Sequence, residues 1–118
     1  MNPPPDRSVT AKLEGSVVDA ITIVRYHLSF VCEDRKSFSV SSPFCFGRAD
    51  KIADMAWSEF PLVSTDVSRM FGSTIVTATT DEAKSLRIEF STGDVLLASW
   101  IPIYESYEIE IDGERIIV

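Results

Sequence analysis

The residues predict an α+β domain that is mainly β: antiparallel sheets built from two repeated three-strand units, a C-terminal hairpin and a short central helix. Three observations predict it. Apolar and polar residues alternate with period two through 28–32, 38–40, 86–90 and 107–111, as in strands that bury one face. Polar or glycine-containing turns interrupt those runs at 33–36, 91–94 and 112–113, where hairpins require them. The same apolar grammar occurs twice, over about 13–44 and 70–104, which reads as an internal repeat, with shared β-patterning without duplication as the alternative.

Residues 1–9 contain Pro3, Pro4 and Pro5; fixed φ and missing amide donors make this a flexible, extended tail that adds little to a core. Residues 10–118 then form a single domain, long enough to bury a core without disulfide or metal support. Val17, Val18, Ile21, Ile23 and Val24 are mostly β-branched and suit a pleated, half-buried surface. Leu28, Phe30 and Cys32 alternate with His27, Ser29 and Val31, and after the polar turn Phe38 and Val40 resume the pattern, completing a hairpin.

The repeat aligns Leu13, Gly15, Ser16 and Val18 with Met70, Gly72, Ser73 and Ile75. It then aligns Leu28, Phe30, Cys32, Phe38 and Val40 with Leu86, Ile88, Phe90, Leu96 and Ala98. Between the copies, Ile52, Met55, Ala56, Glu59 and Phe60 have helical spacing, with Asp50 as N-cap and Pro61 as the stop. Ser64, Thr65 and Asp66 can cap one more turn carrying Val67, Met70 and Phe71, while Met55, Trp57 and Phe60 plug one end of the β-core. At the end of the chain, Asp112-Gly113 suits a type I′ turn, placing Ile109 opposite Ile116, Tyr107 opposite Val118 and Glu110 opposite Arg115.

Charge narrows the function. Nine acidic and three basic residues lie in 81–118, so −6 of the net −7 is carried there. Direct nucleic-acid binding needs the opposite sign, because cations must displace counterions from phosphate; a basic protein is the natural partner. No apolar run approaches the roughly 18 residues of a membrane span, and residues 1–7 lack the apolar stretch of a secretory signal, so a cytoplasmic protein without membrane contact is expected. Cys32 and Cys45 are neither closely paired nor flanked by histidine, as reduced core thiols rather than zinc ligands, and no cofactor is implied.

Glu105, Glu108, Glu110, Asp112 and Glu114 follow one another without an intervening base, and alternation sets Glu108, Glu110 and Asp112 on one face. Such a row serves either as a solvated edge that deters aggregation or as a docking strip for a lysine- or arginine-rich surface. Trp100 and Tyr104 are residue types enriched at the energetic centres of interfaces. The candidate partner-binding set is therefore Trp100, Tyr104, Glu105, Glu108, Glu110 and Asp112. Alternation puts Glu105 on the inward side with Tyr107, where a carboxylate needs hydrogen-bond partners or must lie at the sheet rim.

The stretch 86–96, with Phe90 and Gly93 in its hairpin, followed by Tyr104-Glu105-Ser106-Tyr107, resembles a small bacterial family of unknown function. Its members carry a hydrophobic-acidic-Phe-x-x-Gly hairpin, a Tyr-Glu-x-Trp tetrad and a final short hairpin. The likeness covers about 70–116 closely and the first half in outline. This chain has Tyr107 in place of the usual tryptophan, which keeps an aromatic ring but removes an indole N–H. In size and charge the chain is similar to immunity proteins of bacterial toxin systems, including contact-dependent growth inhibition. The resemblance implies a protein that binds a cognate toxin domain and masks its active surface; basic-clefted nucleases are the toxins that an acidic surface suits.

Two other classes stay open. His27 is the only histidine, and no P-loop, G-x-G-x-x-G, G-x-S-x-G or H-E-x-x-H pattern occurs, so no enzyme is expected; a small-ligand or hydrolytic site would have to centre on Glu105, with Glu89 as a second carboxylate. A self-assembling module pairing through the last strand is the third class, the oligomeric state being open.

Overall fold

A computed structural model describes residues 2–60, 67–103 and 105–118. The strands among them are β1 (Val18–Ile23), β2 (Leu28–Cys32), β3 (Lys36–Val40), β4 (Phe44–Arg48), β5 (Ile75–Thr80), β6 (Leu86–Phe90), β7 (Asp94–Ala98), β8 (Tyr107–Ile111) and β9 (Glu114–Ile117). They form two antiparallel sheets, ordered β1-β2-β3-β8-β9 and β4-β7-β6-β5. The fold is the mainly β α+β class that the alternation predicts.

The two meanders, β1 to β3 and β5 to β7, are related to each other in detail. Each begins with a register irregularity, after Val18 in one and after Ile75 in the other. Gly15 (φ 88°) and Gly72 (φ 77°) precede those strands in a conformation that a Cβ disfavours. Their amides donate reciprocally, Gly15 N to Ile75 O at 2.8 Å and Gly72 N to Val18 O at 2.9 Å, so the starts of the two meanders are stitched together around the Val17–Thr74 bridge. Each meander then sends a fourth strand to the other sheet: β4 pairs with β7 and β8 pairs with β3. The corners match as well, with Ser41 N donating to Ser106 O and Ser99 N to Pro43 O.

Side chains from the inner faces of both sheets interlock in one core. Phe30 stacks on Phe38 with ring centroids 4.7 Å apart and meets Phe90 of the other sheet at 6.0 Å. Leu28, Val40, Tyr107 and Ile109 face Ile75, Leu86, Ile88 and Leu96 in the same cluster; burying each such side chain contributes about 1.5–3 kcal/mol. The final hairpin has the expected register, Ile109 with Ile116 and Glu110 with Arg115. Asp112 (φ 51°) and Gly113 (φ 88°) both take positive φ at its turn, as type I′ geometry demands.

Three local expectations are corrected. Instead of a central helix, residues Ile52–Asp54 make a single 3-10 turn without a side-chain cap; Ile52 is pinned by burial against Cys45 and Val95, so contact with the sheet, not helical propensity, explains the apolar spacing. The short α-helix, α1, lies instead at Arg7–Thr10, capped by Asp6 accepting from the amides of Ser8 and Val9. The proline tail is docked: Pro5 is buried, Asn2 N donates to Ile117 O at 2.7 Å, and Arg7 binds Glu14 and Ala78 O. Met55 and Trp57 stay outside the core, 38% and 46% exposed, leaving Phe60, 5.7 Å from Phe44, as the residue of that group packed on it. Val67 and Met70 are buried in a 3-10 turn with Phe71 exposed; the cap expected at 64–66 lies outside the described residues. Among the described residues no helix is long and apolar enough to cross a membrane.

Candidate functional site

The inner positions of the five-stranded sheet are apolar, so pairing register decides what its outer face carries. Ser29 lies beside Ser39, Ser39 beside Glu108, and Glu108 beside Ile117; one row over, Val31 lies beside Ser37, Ser37 beside Glu110, and Glu110 beside Arg115. Hydroxyls on the middle strands thus run into carboxylates on β8. His27, Ser41 and Glu105 join them to line an open concavity of about 350 Å³.

The electrostatics of this face are unbalanced. Glu105, Glu108 and Glu110 converge on it, with Arg115 as the one guanidinium among its lining residues. Arg115 Nε donates to Glu108 Oε1, and Glu108, then Glu110 and Glu105, push the guanidinium above its ordinary value. Ser37 Oγ donates to Glu110 Oε2 at 3.5 Å. Like charges a strand position apart repel, and one exposed arginine offsets them only in part.

Of the six residues expected to contact a partner, the fold gathers three. Glu105, Glu108 and Glu110 share the concavity. Asp112 sits in the hairpin turn rather than on that face, because the strand ends at Ile111. Trp100 is half-buried against the core, with Lys84 Nζ 4.6 Å from its ring centroid, so it does not line the acidic face. Tyr104 lies outside the described residues.

Glu105 departs from its expected inward position and is exposed. Alternation fails there because Ser106 and Tyr107 are buried in succession. Ser106 Oγ accepts from Ile101 N at 2.7 Å and donates to Ile101 O at 3.2 Å, pinning an irregular corner, so β8 starts only at Tyr107. Glu89 does not line the concavity; it is on the other sheet, paired with Arg87 at 3.0 Å. The carboxylate pair considered for hydrolysis is therefore not assembled.

His27, Ser29, Ser37, Ser39, Ser41 and Arg115, with the exposed Val31 and an edge of Phe38, complete the lining and escaped selection from the sequence. The signal was present: serine recurs at every second position from 37 to 41, opposite the buried Phe38 and Val40. Hydroxyls in that phase identify a polar, solvent-facing surface.

Both cysteines are buried and free. Burial, with a further contribution from Asp34, pushes the Cys32 thiol up to about 11, and burial raises Cys45 also; protonated thiols are poor nucleophiles and ligands. Among the described residues no group of three or more His, Cys, Asp or Glu is placed to hold a metal ion.

Tyr107, the first residue of β8, is buried in the core, and its hydroxyl donates to Lys84 O at 3.1 Å. Burial, then the charge of Asp81, raises the phenol above its ordinary value. Tyr107→Phe therefore leaves the ring in place but strips Lys84 O of this donor, and is expected to cost about 1–2 kcal/mol in urea unfolding without altering the acidic face. An unchanged midpoint would show that water replaces the hydroxyl.

No protein-family model, curated protein or solved structure matches this chain.

Proposed function

We propose that this chain is a cytoplasmic immunity-type protein that binds a cationic toxin domain through the outer face of its five-stranded sheet and masks the toxin's active surface. The observation that carries the reading is the convergence of Glu105, Glu108 and Glu110 on an open, hydroxyl-lined concavity opposed by one arginine. Surfaces of this kind steer an oppositely charged partner into place and reject like-charged ones. A toxin whose cleft handles phosphate presents the complementary potential, and covering that cleft requires neither catalysis nor a cofactor from this chain. The net charge of −7 adds a long-range component of the same sign.

The test is co-expression with the product of the gene immediately upstream, followed by copurification. With the pair in hand, Glu105→Lys, Glu108→Lys and Glu110→Lys combined are expected to slow association tenfold or more at low ionic strength, about the scale of electrostatic steering, and to flatten its salt dependence. All three positions lie outside the core, so near-ultraviolet dichroism should not change. Association that ignores the triple reversal would rule out this face as the toxin-binding surface.

A further inference from the structure

The two halves of the fold treat their outer faces differently. By position in their sheets, Phe44 of β4 corresponds to Tyr107 of β8: each pairs with the last residue of a third strand, Phe44 with Ala98 and Tyr107 with Val40. Each also exchanges two backbone hydrogen bonds with a returning segment. Phe44 does so with Ser58 at 3.0 and 2.6 Å, and Tyr107 does so with Val118 at 2.9 and 3.4 Å.

The connection between the paired segments sets the halves apart. After β8 the chain reverses in two residues, Asp112 and Gly113. After β4 it makes a longer excursion that folds over the outer face of the four-stranded sheet: Ile52 packs on Cys45, Val95 and Leu97. Met55 lies so close over Gly47 that a Cβ there would be 2.5 Å from Met55 Sδ. Among the described residues, one sheet thus carries its own cover, whereas the tight turn lays nothing over the other.

The residues under the cover and those on the bare face are matched in place and opposed in chemistry. Val95 and Leu97 of β7 correspond to Ser37 and Ser39 of β3, and Cys45 and Gly47 of β4 correspond to Glu108 and Glu110 of β8. An apolar cover on one sheet answers to a hydroxyl and carboxylate surface on the other. That surface already accepts a guanidinium, since Arg115 reaches over from β9 to Glu108, with a side chain 63% exposed.

We infer that the bare face receives a short protruding segment of the partner, lying where residues 52–55 lie on the twin sheet and placing a lysine or arginine side chain among Glu105, Glu108 and Glu110, where it displaces Arg115. This deepens the masking role proposed above and rests on it for the partner's identity. The occupant's chemistry follows from charge complementarity and its shape from the cover that the other half supplies. Arg115 is the internal competitor that the incoming cation replaces.

The probe is the acetylated, amidated pentapeptide Gly-Lys-Gly-Arg-Gly, titrated at low ionic strength into the isotopically labelled full chain and followed by amide chemical shifts. Shifts are expected at Ser29, Ser37, Ser39, Glu108 and Glu110, with none from Gly-Glu-Gly-Glu-Gly. Glu108→Gln with Glu110→Gln is expected to weaken binding about tenfold, and Arg115→Ala to strengthen it about threefold, the scale of exposed ion pairs. A merely structural Arg115 predicts no gain. Shifts scattered over both sheets, insensitivity to the glutamine variants, or weaker binding by Arg115→Ala would each overturn the inference. A failed titration beside intact copurification with the upstream gene product sinks the inference alone; a successful titration with no copurifying toxin sinks the immunity reading alone.

Discussion

Arg69→Ala is expected to lower folding stability by about 1.5–3 kcal/mol, the range for hydrogen bonds to a charged group, because only the carboxylate side of the pair is buried and the Arg69 side chain is 45% exposed. Asp94, at the start of β7, is 2% exposed. It is held by Arg69 through Nη2 to Oδ1 at 2.8 Å and Nε to Oδ2 at 3.3 Å, and Thr92 Oγ1 donates to Oδ2 at 2.7 Å. Alanine leaves that carboxylate desolvated with Thr92 as its side-chain donor among the described residues, and it also removes the guanidinium lying 5.1 Å over Phe46. Burial works against the charged carboxyl, but hydrogen bonds from Thr92 and Arg69 and the charges of Arg69 and Arg48 outweigh it and hold Asp94 below 3.8. Its contribution is thus complete above that unfolded value and is lost as pH falls through the lower folded value. The alanine variant should lose this acid dependence in large part, because Arg69 supplies both a hydrogen bond and a charge that hold the carboxyl down. Urea unfolding of both proteins between neutral and acid pH measures both effects. A variant within 1 kcal/mol of the parent at neutral pH would show that Asp94 finds water.

The hairpins were legible because local signals agreed: alternation in β2, β3, β6 and β8, with turn residues between the runs. β4 was not, for a physical reason. Phe44, Cys45, Phe46 and Gly47 are all buried, the core lying on one side and residues 52–55 on the other, so the strand shows no alternation to detect. The exchange of fourth strands between sheets was equally hidden, since β3 meets β8 and β4 meets β7 through contacts distant in sequence that leave no local mark. The starts of the two meanders were visible in Gly15 and Gly72, whose equivalent positions follow from their shared positive φ.

Legibility at the site followed the same rule. Glu108 and Glu110 lie within a regular strand and emerged on the face that alternation assigns. Glu105 and Asp112 lie just outside β8, where extrapolated alternation placed the first on the wrong side and the second on a face that it does not join. Trp100 illustrates the weakness of residue type alone, because an aromatic suited to an interface is equally suited to packing beneath Lys84.

Phe30→Ala is expected to cost about 3–5 kcal/mol, a large part of the 5–15 kcal/mol typical of a whole domain, whereas Phe71→Ala should change stability by less than about 0.5 kcal/mol. The same atoms are deleted in both; their surroundings differ. Phe30 is fully buried and touches Phe38 in its own sheet and Phe90 in the other, so alanine opens a cavity where the halves meet. Phe71 is 54% exposed. The loss at Phe30 should also remain cooperative. Each sheet contains a strand from the other half, so neither can keep its hydrogen bonds while the other unfolds. Tryptophan fluorescence and far-ultraviolet dichroism should therefore report one shared, lowered urea midpoint for Phe30→Ala. Separated midpoints would mean that one sheet holds together without the strand it borrows.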